Sequence, residues 1–222
     1  IADIVMQFDD TTKTDNPPPN VRPGARLVNF KCQDVSKSRV AAAFEKAAGY
    51  ALSVDPLTHA DTMVEKSEEN GAHDGRILQG PLISVVPGKT YQRLIDNEID
   101  GGRIEDLRCC VVGGTPIVVF RKRRPLNQRF ANMNTEVILD EPRNAYSADE
   151  IAVIERFASE LGLDWGGIDV LRDRKTGRIY IVDANKTDMG PPISLKLGGK
   201  LRATRRMAHA FRVLSVFSRS GP

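Results

Sequence analysis

Cysteine is scarce: the 222 residues hold three, two of them adjacent at Cys109 and Cys110. An odd, unevenly spaced set cannot make a regular disulfide framework, and it shows no metal-ligand spacing with the three histidines. A reducing, cytoplasmic setting is the expectation that follows. Long apolar runs are lacking too. None approaches the roughly 20 residues that span a bilayer, which argues against a membrane protein. The start, IADIVMQFDD, has neither a basic n-region nor an apolar h-region, and Ile1 is compatible with a cut end. Neither sign of charge dominates, since 32 basic against 29 acidic residues leave a net charge of +3, so no nucleic-acid partner is expected from charge. A Walker P-loop and a dinucleotide GxGxxG fingerprint are both missing. What is present is a hydrophobic content of 41%, enough for one large domain or two small lobes.

One absence is local. No acidic residue follows Asp188, whereas Lys196, Lys200, Arg202, Arg205, Arg206, Arg212 and Arg219 do. On a terminal amphipathic helix, expected over 201–216, they read first as a solvated face and otherwise as a site for an acidic acceptor.

The first 26 residues contain DDTTK and DNPPPNVRPG, whose prolines exclude a regular helix and predict an extended arm lying on the body without starting its core. SKSRVAAAFEKAAGY then predicts an amphipathic helix from a Ser36 cap to a Gly49 stop. Strands are expected over 50–54, 62–66, 76–86 and 90–95. LRCCVV and IVVFRKR, joined at VGGTP, read as a hairpin. A second helix, 148–161, has Ser147 as N-cap and Glu150 at the capping-box position. WGGIDVLRD and RIYIVDAN, joined by the RKTG turn, form a second hairpin. This order predicts an α+β fold with mainly antiparallel sheets in two lobes. Cys109 and Cys110 read as core strand residues.

That second hairpin carries the sharpest chemical signal. Asp183 and Asn185 are two apart and share a face of their strand, and a register through RKTG sets Asp169 opposite them. Two carboxylates and a carboxamide suit a hard, oxygen-seeking cation such as Mg²⁺. A solvated face is disfavoured because Ile179, Ile181 and Val182 flank the acids, where an unpaired carboxylate is costly. Lysines give the second signal. Lys66 ends MVEK just before the polar loop SEENGAHDG, and Lys37 opens the first helix, so both are candidates to meet phosphate. Taken singly, each also suits a solvated surface. His73, in that loop, and Asp9 and Asp10, in the arm, are weaker candidates for phosphate and for an acceptor pocket.

EDLRCCVVGGTPIVVFRKRRP, LGLDWGGIDVLRD and RIYIVDANKTDMGPP, in this order and spacing across roughly residues 36–200, resemble the ATP-grasp superfamily. The resemblance implies two α+β lobes gripping ATP between antiparallel sheets. The expected division is a proline-rich arm (1–35), a small lobe (36–90) and a large lobe with the basic helix (91–222). Lys37 and Lys66 would bind phosphates, and Gln92 with the backbone near Leu94 and Ile95 would read adenine. Arg108 is similar to the arginine of the D-x-R strand. Arg121, with Lys122 behind it, would face the γ-phosphate, and Arg123 and Arg124 are expected on the surface. Asp169, Asp183 and Asn185 would hold Mg²⁺, or Mn²⁺ in its place, with Asn132 or Asn134 a further candidate. Asp183 stands where the family usually has glutamate.

The implied reaction is an ADP-forming carbon–nitrogen ligation, in which a small-molecule or peptide carboxylate becomes an acyl phosphate and an amine displaces phosphate. A kinase on the same scaffold and a non-catalytic nucleotide-binding domain are the alternatives. Only about 35 residues precede the first helix, where family enzymes carry a complete domain. The acceptor site is therefore expected from the arm, from a further domain, or from another subunit in a homo-oligomer.

Overall fold

A computed structural model of the chain describes residues 3–131, 133–188 and 190–216. Asn132 and Arg219 lie outside the described residues. In chain order the elements are β1 (Ile4–Met6), β2 (Arg26–Val28), α1 (Lys37–Ala48), β3 (Thr62–Ser67), β4 (Arg76–Gln79), β5 (Lys89–Arg93), β6 (Glu98–Ile99), β7 (Arg103–Val112), β8 (Thr115–Pro125), β9 (Glu136–Asp140), α2 (Pro142–Ala145), α3 (Ala148–Leu161), β10 (Trp165–Arg172), β11 (Ile179–Asn185) and α4 (Leu197–Val216). The fold is α+β, with an antiparallel three-stranded sheet ordered β4-β3-β5 and a six-stranded sheet ordered β11-β10-β7-β8-β9 in which β6 also pairs with β7. No helix among the described residues is long and apolar enough to cross a membrane.

Local chemistry accounts for both long predicted helices. Around α3, the Ser147 hydroxyl accepts from the Glu150 amide and the Glu150 carboxylate accepts from the Ser147 amide, a complete capping box. Helix α1 ends at Gly49, whose φ of 78° is the left-handed stop that a residue with a Cβ resists. Both helices cover one face of the large sheet. There Val40, Phe44, Ile154 and Phe157 pack on Leu107, Cys109, Val111 and Val119, alternate residues of β7 together with one from β8. Burial pushes the thiols of Cys32 and Cys109 up to about 12, so neither is a nucleophile at neutral pH. Helix α4 lies on the other face, where its Ala203 and Leu195, just ahead of it, belong to one cluster with Cys110, Val118 and Phe120.

Three expectations are corrected. Residues 50–54 do not form a strand and pair with β5 only at Ser53 and Gln92. The Glu45 carboxylate takes the amides of Leu52 and Ser53 instead. The strand expected over 76–86 ends at Gln79, where Pro81 removes a ladder donor two residues on. Helix α4 begins at Leu197, ahead of the expected 201, because Gly198 and Gly199 are helical. A side chain at Gly199 would press on Leu195 at 3.0 Å. Among the described residues up to 26 only Gln7 and Thr14 are buried, as an arm lying on the body requires, and the chain enters the core just after them. β1 and β2 pair in parallel, and Val28, Cys32 and Val35 are completely buried. Asn29 rivets this segment to the large sheet, its amide oxygen accepting from the backbone of Asp164 and Trp165 and its Nδ2 donating to the carbonyls of Trp165 and Lys186.

Candidate active site

The alternation of β7 and β8 that buries one face of the large sheet aims the other toward the three-stranded sheet. Asp106 and Arg108 of β7, Lys122 and Arg124 of β8, Asp169 of β10, and Asp183 and Asn185 of β11 all line one cavity of about 570 Å³. From the opposite side come Lys66 of β3, Gln92 of β5 and the loop 69–75, while Leu94, Ile95 and Lys37 close its ends. Such a volume suits a nucleotide-sized ligand. Of the residues singled out in the sequence, Lys37, Lys66, Gln92, Leu94, Ile95, Arg108, Lys122, Asp169, Asp183 and Asn185 meet here, as do His73, Asn134 and Asp10.

Arg121 does not. Adjacent strand residues face opposite ways, and Arg121 turns to the far side, where it donates to Glu105 (2.8 Å) and Asp140 (2.7 Å). Arg123 goes with it, bonded to Glu105 at 2.7 Å. The cleft receives Lys122 and Arg124 instead. Arg124, expected on the surface, is buried and donates to Asp106 at 2.5 Å. A period-two reading from Phe120, the buried aromatic before the basic run, identifies 122 and 124 as partners on one face.

Charges in the cleft are matched pairwise. Asp169 lies directly opposite Asp183 in the β10–β11 register. It accepts from Arg108 at 3.1 Å and from Lys122 at 3.0 Å. Burial alone would raise its carboxyl, but the Lys122 and Arg108 charges outweigh it and hold Asp169 well below the usual carboxylate range. Asp183 accepts from Lys37 at 2.5 Å. Arg108 also reaches Asp188 at 3.4 Å, a partner with no signal in the sequence. Gly167 makes room for this guanidinium, since a Cβ there would overlap it.

The adenine-reading residues are partly engaged. Lys66 donates to Gln92 Oε1 at 3.0 Å, and the buried Gln92 Nε2 has no partner among the described residues, which leaves a donor for a ligand. The Ile95 carbonyl accepts from Arg129 at 3.0 Å. Lys66 is drawn down to about 8, chiefly by burial, against the Asp183 charge, which favours its ammonium form.

No three His, Cys, Asp or Glu side chains gather as a metal-binding cluster among the described residues. The candidate donor set is two carboxylates and the Asn185 carboxamide. All are hard oxygen donors beside a cavity large enough for phosphate, and this chemistry fits Mg²⁺, which takes one or two carboxylates and completes its shell with water and phosphate oxygens. Lys37, Lys122 and Arg108 neutralise those carboxylates and can turn to phosphate when a cation replaces them.

No protein-family model and no curated protein matches the sequence. Solved structures do match the fold. The ATP-grasp ligase PsnB, complexed with a phosphomimetic variant of its minimal precursor, Mg and ADP, superposes with a TM-score of 0.54 at 16% identity, covering 84% of this chain and 62% of that one. PsnB complexed with minimal precursor alone gives 0.54 at 17%, covering 86% and 64%. D-alanine–D-alanine ligase from Bacillus anthracis, complexed with ATP, gives 0.50 at 14%, covering 83% and 66%. The chain thus spans less than two thirds of the length of each. Two antiparallel sheets facing one charged cleft, and these superpositions, identify the architecture as the ATP-grasp fold.

Proposed function

We propose that this chain supplies the nucleotide-gripping lobes of an ADP-forming ligase, joining a carboxylate to an amine through an acyl phosphate. One observation carries the reading: Lys37, Lys66, Arg108 and Lys122 share a cavity with Asp169, Asp183 and Asn185. Cations for a polyphosphate thus stand beside the oxygens for Mg²⁺, with Lys66 alone of the four reaching in from the three-stranded sheet. The three-stranded sheet, 62–93, which runs three residues past the expected boundary at 90, and the large sheet that follows it are the two lobes, and residues 1–35 are the arm.

In this reading Lys66 and Lys37 bind the phosphates, and Gln92 Nε2 donates to the nucleotide. Arg108 and Lys122 hold the γ-phosphate in line with the attacking carboxylate and stabilise charge on the transferring group. Asp169, Asp183 and Asn185 would hold Mg²⁺, which would supply charge neutralisation for the phosphates. A carboxylate oxygen attacks the γ-phosphorus and ADP leaves. An amine then attacks the acyl carbon, inorganic phosphate departs, and the amine gives up a proton. Positioning and fixed charge supply the rate, with no covalent step on the protein.

The acceptor is proposed to be a peptide or small carboxylate, its site completed by a further domain or a second copy. PsnB, by its description, binds a precursor, which supports including peptides among the trial substrates. Phosphate release measured with ATP and Mg²⁺ across amino acids, peptides and small carboxylates tests the reading. The expected result is stimulation by one carboxylate only when an amine is present, with ADP and amide formed in equal amounts. A stable phosphorylated product without amide would assign a kinase instead, and nucleotide binding without turnover a non-catalytic domain.

Lys66 adds a pH signature. Burial draws its ammonium group down to about 8, with the Asp183, Asp169 and Asp106 charges favouring the charged form and Lys37 opposing it. Phosphate favours the charged form, so binding takes up a proton above that pH. Metal-free ATP affinity is expected to weaken above pH 8, approaching about tenfold per pH unit. Calorimetry in buffers of different ionisation enthalpy measures the uptake, and a flat profile from pH 7 to 9.5 removes Lys66 from the phosphate site.

A further inference from the structure

The arm reaches the candidate metal site through a single hydroxyl. Thr187, buried just beyond β11, has its Oγ1 2.7 Å from Asn185 Oδ1 and 3.0 Å from Asp10 Oδ1. Asn185 Oδ1 also accepts from the Thr187 amide at 2.7 Å. A hydroxyl carries one proton, so only one of the two oxygens can receive it at a time. If it goes to Asn185, both lone pairs of Oδ1 are used, by the amide and by the hydroxyl. If it goes to Asp10, one Oδ1 lone pair is free. The two oxygens then stand close with no proton between them and repel, and that repulsion favours a cation on Oδ1.

Asp10 is held at this place by its neighbour. Asp9 lies 3.1 Å from the amino group of Lys186, a fully buried lysine that also donates to Thr14. Thr14 and Gln7 each donate to Asp9 at 3.0 Å. Lys186 follows Asn185 directly, so the buried pair ties the arm to the strand end that carries the carboxamide.

Resting on the ligase reading above, we propose that Asp10 and Thr187 are positioning residues for the cation: Asp10 takes the Thr187 hydroxyl proton and so leaves Asn185 Oδ1 a lone pair for Mg²⁺. The acidic residue that completes this device comes from the N-terminal arm and not from the sheet. Removing Asp10 returns the proton to Asn185 and blocks the ligand. Removing the hydroxyl as well unblocks it, because the methyl group that valine puts in its place has no proton to give.

Mn²⁺ binding to the complex with a non-hydrolysable ATP analogue, titrated by electron paramagnetic resonance, tests this without turnover. Asp10 is exposed, so its replacement strips no partner from a buried charge and leaves the fold intact. Asp10→Ala is expected to weaken Mn²⁺ about tenfold, in the range found when an outer-shell partner of a metal ligand is lost. The double variant Asp10→Ala/Thr187→Val is expected to recover to within about twofold of the parent. Analogue affinity in EDTA should be the same in the two variants, since both lose the Asp10 charge from the cavity lining. Equal weakening in the single and double variants means that Asp10 acts on the cation itself and overturns the proposal. No weakening in Asp10→Ala overturns it too. Failure of the parent complex to bind Mn²⁺ removes the ligase reading beneath it, a different outcome from either.

Discussion

Alanine at Asp183 or at Asn185 lowers Mg²⁺-dependent ATP turnover by roughly two to three orders of magnitude, the scale on which loss of one fixed electrostatic partner slows charge-stabilised chemistry. The two losses differ in their side effects. Asp183 neutralises Lys37 at 2.5 Å, and without it the lysine's charge is free for phosphate. Metal-free nucleotide binding is therefore expected to hold or tighten in Asp183→Ala while Mg²⁺-dependent turnover collapses. Asn185 carries no charge, so Asn185→Ala leaves metal-free binding unchanged. Steady-state ADP formation at saturating ATP, alongside nucleotide titrations in EDTA, separates the two. Near-normal turnover in both variants would falsify the metal assignment.

The second large effect is on stability. Asp106 and Arg124 form a buried pair at 2.5 Å, and Asp106 also accepts from Asn97 at 2.9 Å. Breaking such a pair from one side typically costs about 3–5 kcal/mol, because the other charge is left buried. The two sides are not equivalent. Asp106→Ala strands a guanidinium that cannot shed its proton, so the full cost is expected at any working pH. Arg124→Met leaves a carboxyl that burial already pushes up, and it can escape by protonation. In that variant folded Asp106 binds a proton that the unfolded chain has released. Stability is then highest below the unfolded carboxyl value of about 3.9 and is lost as pH rises through the folded value. Urea unfolding at pH 5 and pH 7.5 should show Arg124→Met recovering part of its deficit at the lower pH and Asp106→Ala recovering none. Equal behaviour of the two variants removes the asymmetry and the buried-pair account with it.

Much of the scaffold was legible in one dimension because its signals are local. Ser147 with Glu150, the Gly49 stop and the alanine-rich run of α1 need only a few neighbours to specify a helix. The RKTG turn sets a register that pairs Val170 with Ile181, and a bulge at Val182 then shifts it by one residue, so that Asp169 lies opposite Asp183. A two-residue period then puts Asn185 on the same face. Asp183 and Asn185 were readable as a pair because strand geometry repeats over so short a distance, whereas Asp169 is brought to them by the bulge.

What escaped depends on which face of an element meets the rest of the chain. RKRR contains four similar cations, and its period says that alternate members part company without saying which pair enters the cleft. That is settled by helices α1 and α3 covering the face on which Val119 is buried, which leaves Lys122 and Arg124 to the other. The proline-rich arm looked peripheral because it lacks periodicity. Its role comes from contacts more than 130 residues distant, through Asn29 and through Asp9 with Lys186. A lysine read alone is a surface residue, and Lys186 is buried only because the arm brings it a carboxylate.

The sequence by itself determined helices α1 and α3, the two long hairpins and the pairing of Asp183 with Asn185 on one face, since each follows from caps, turns and a period of two or 3.6 residues. Tertiary structure decided which charges share the cleft, which are turned away and what the arm contributes. Those outcomes rest on burial and pairing between segments far apart in the chain, where the energy of a charge depends on the partner that the fold brings to it.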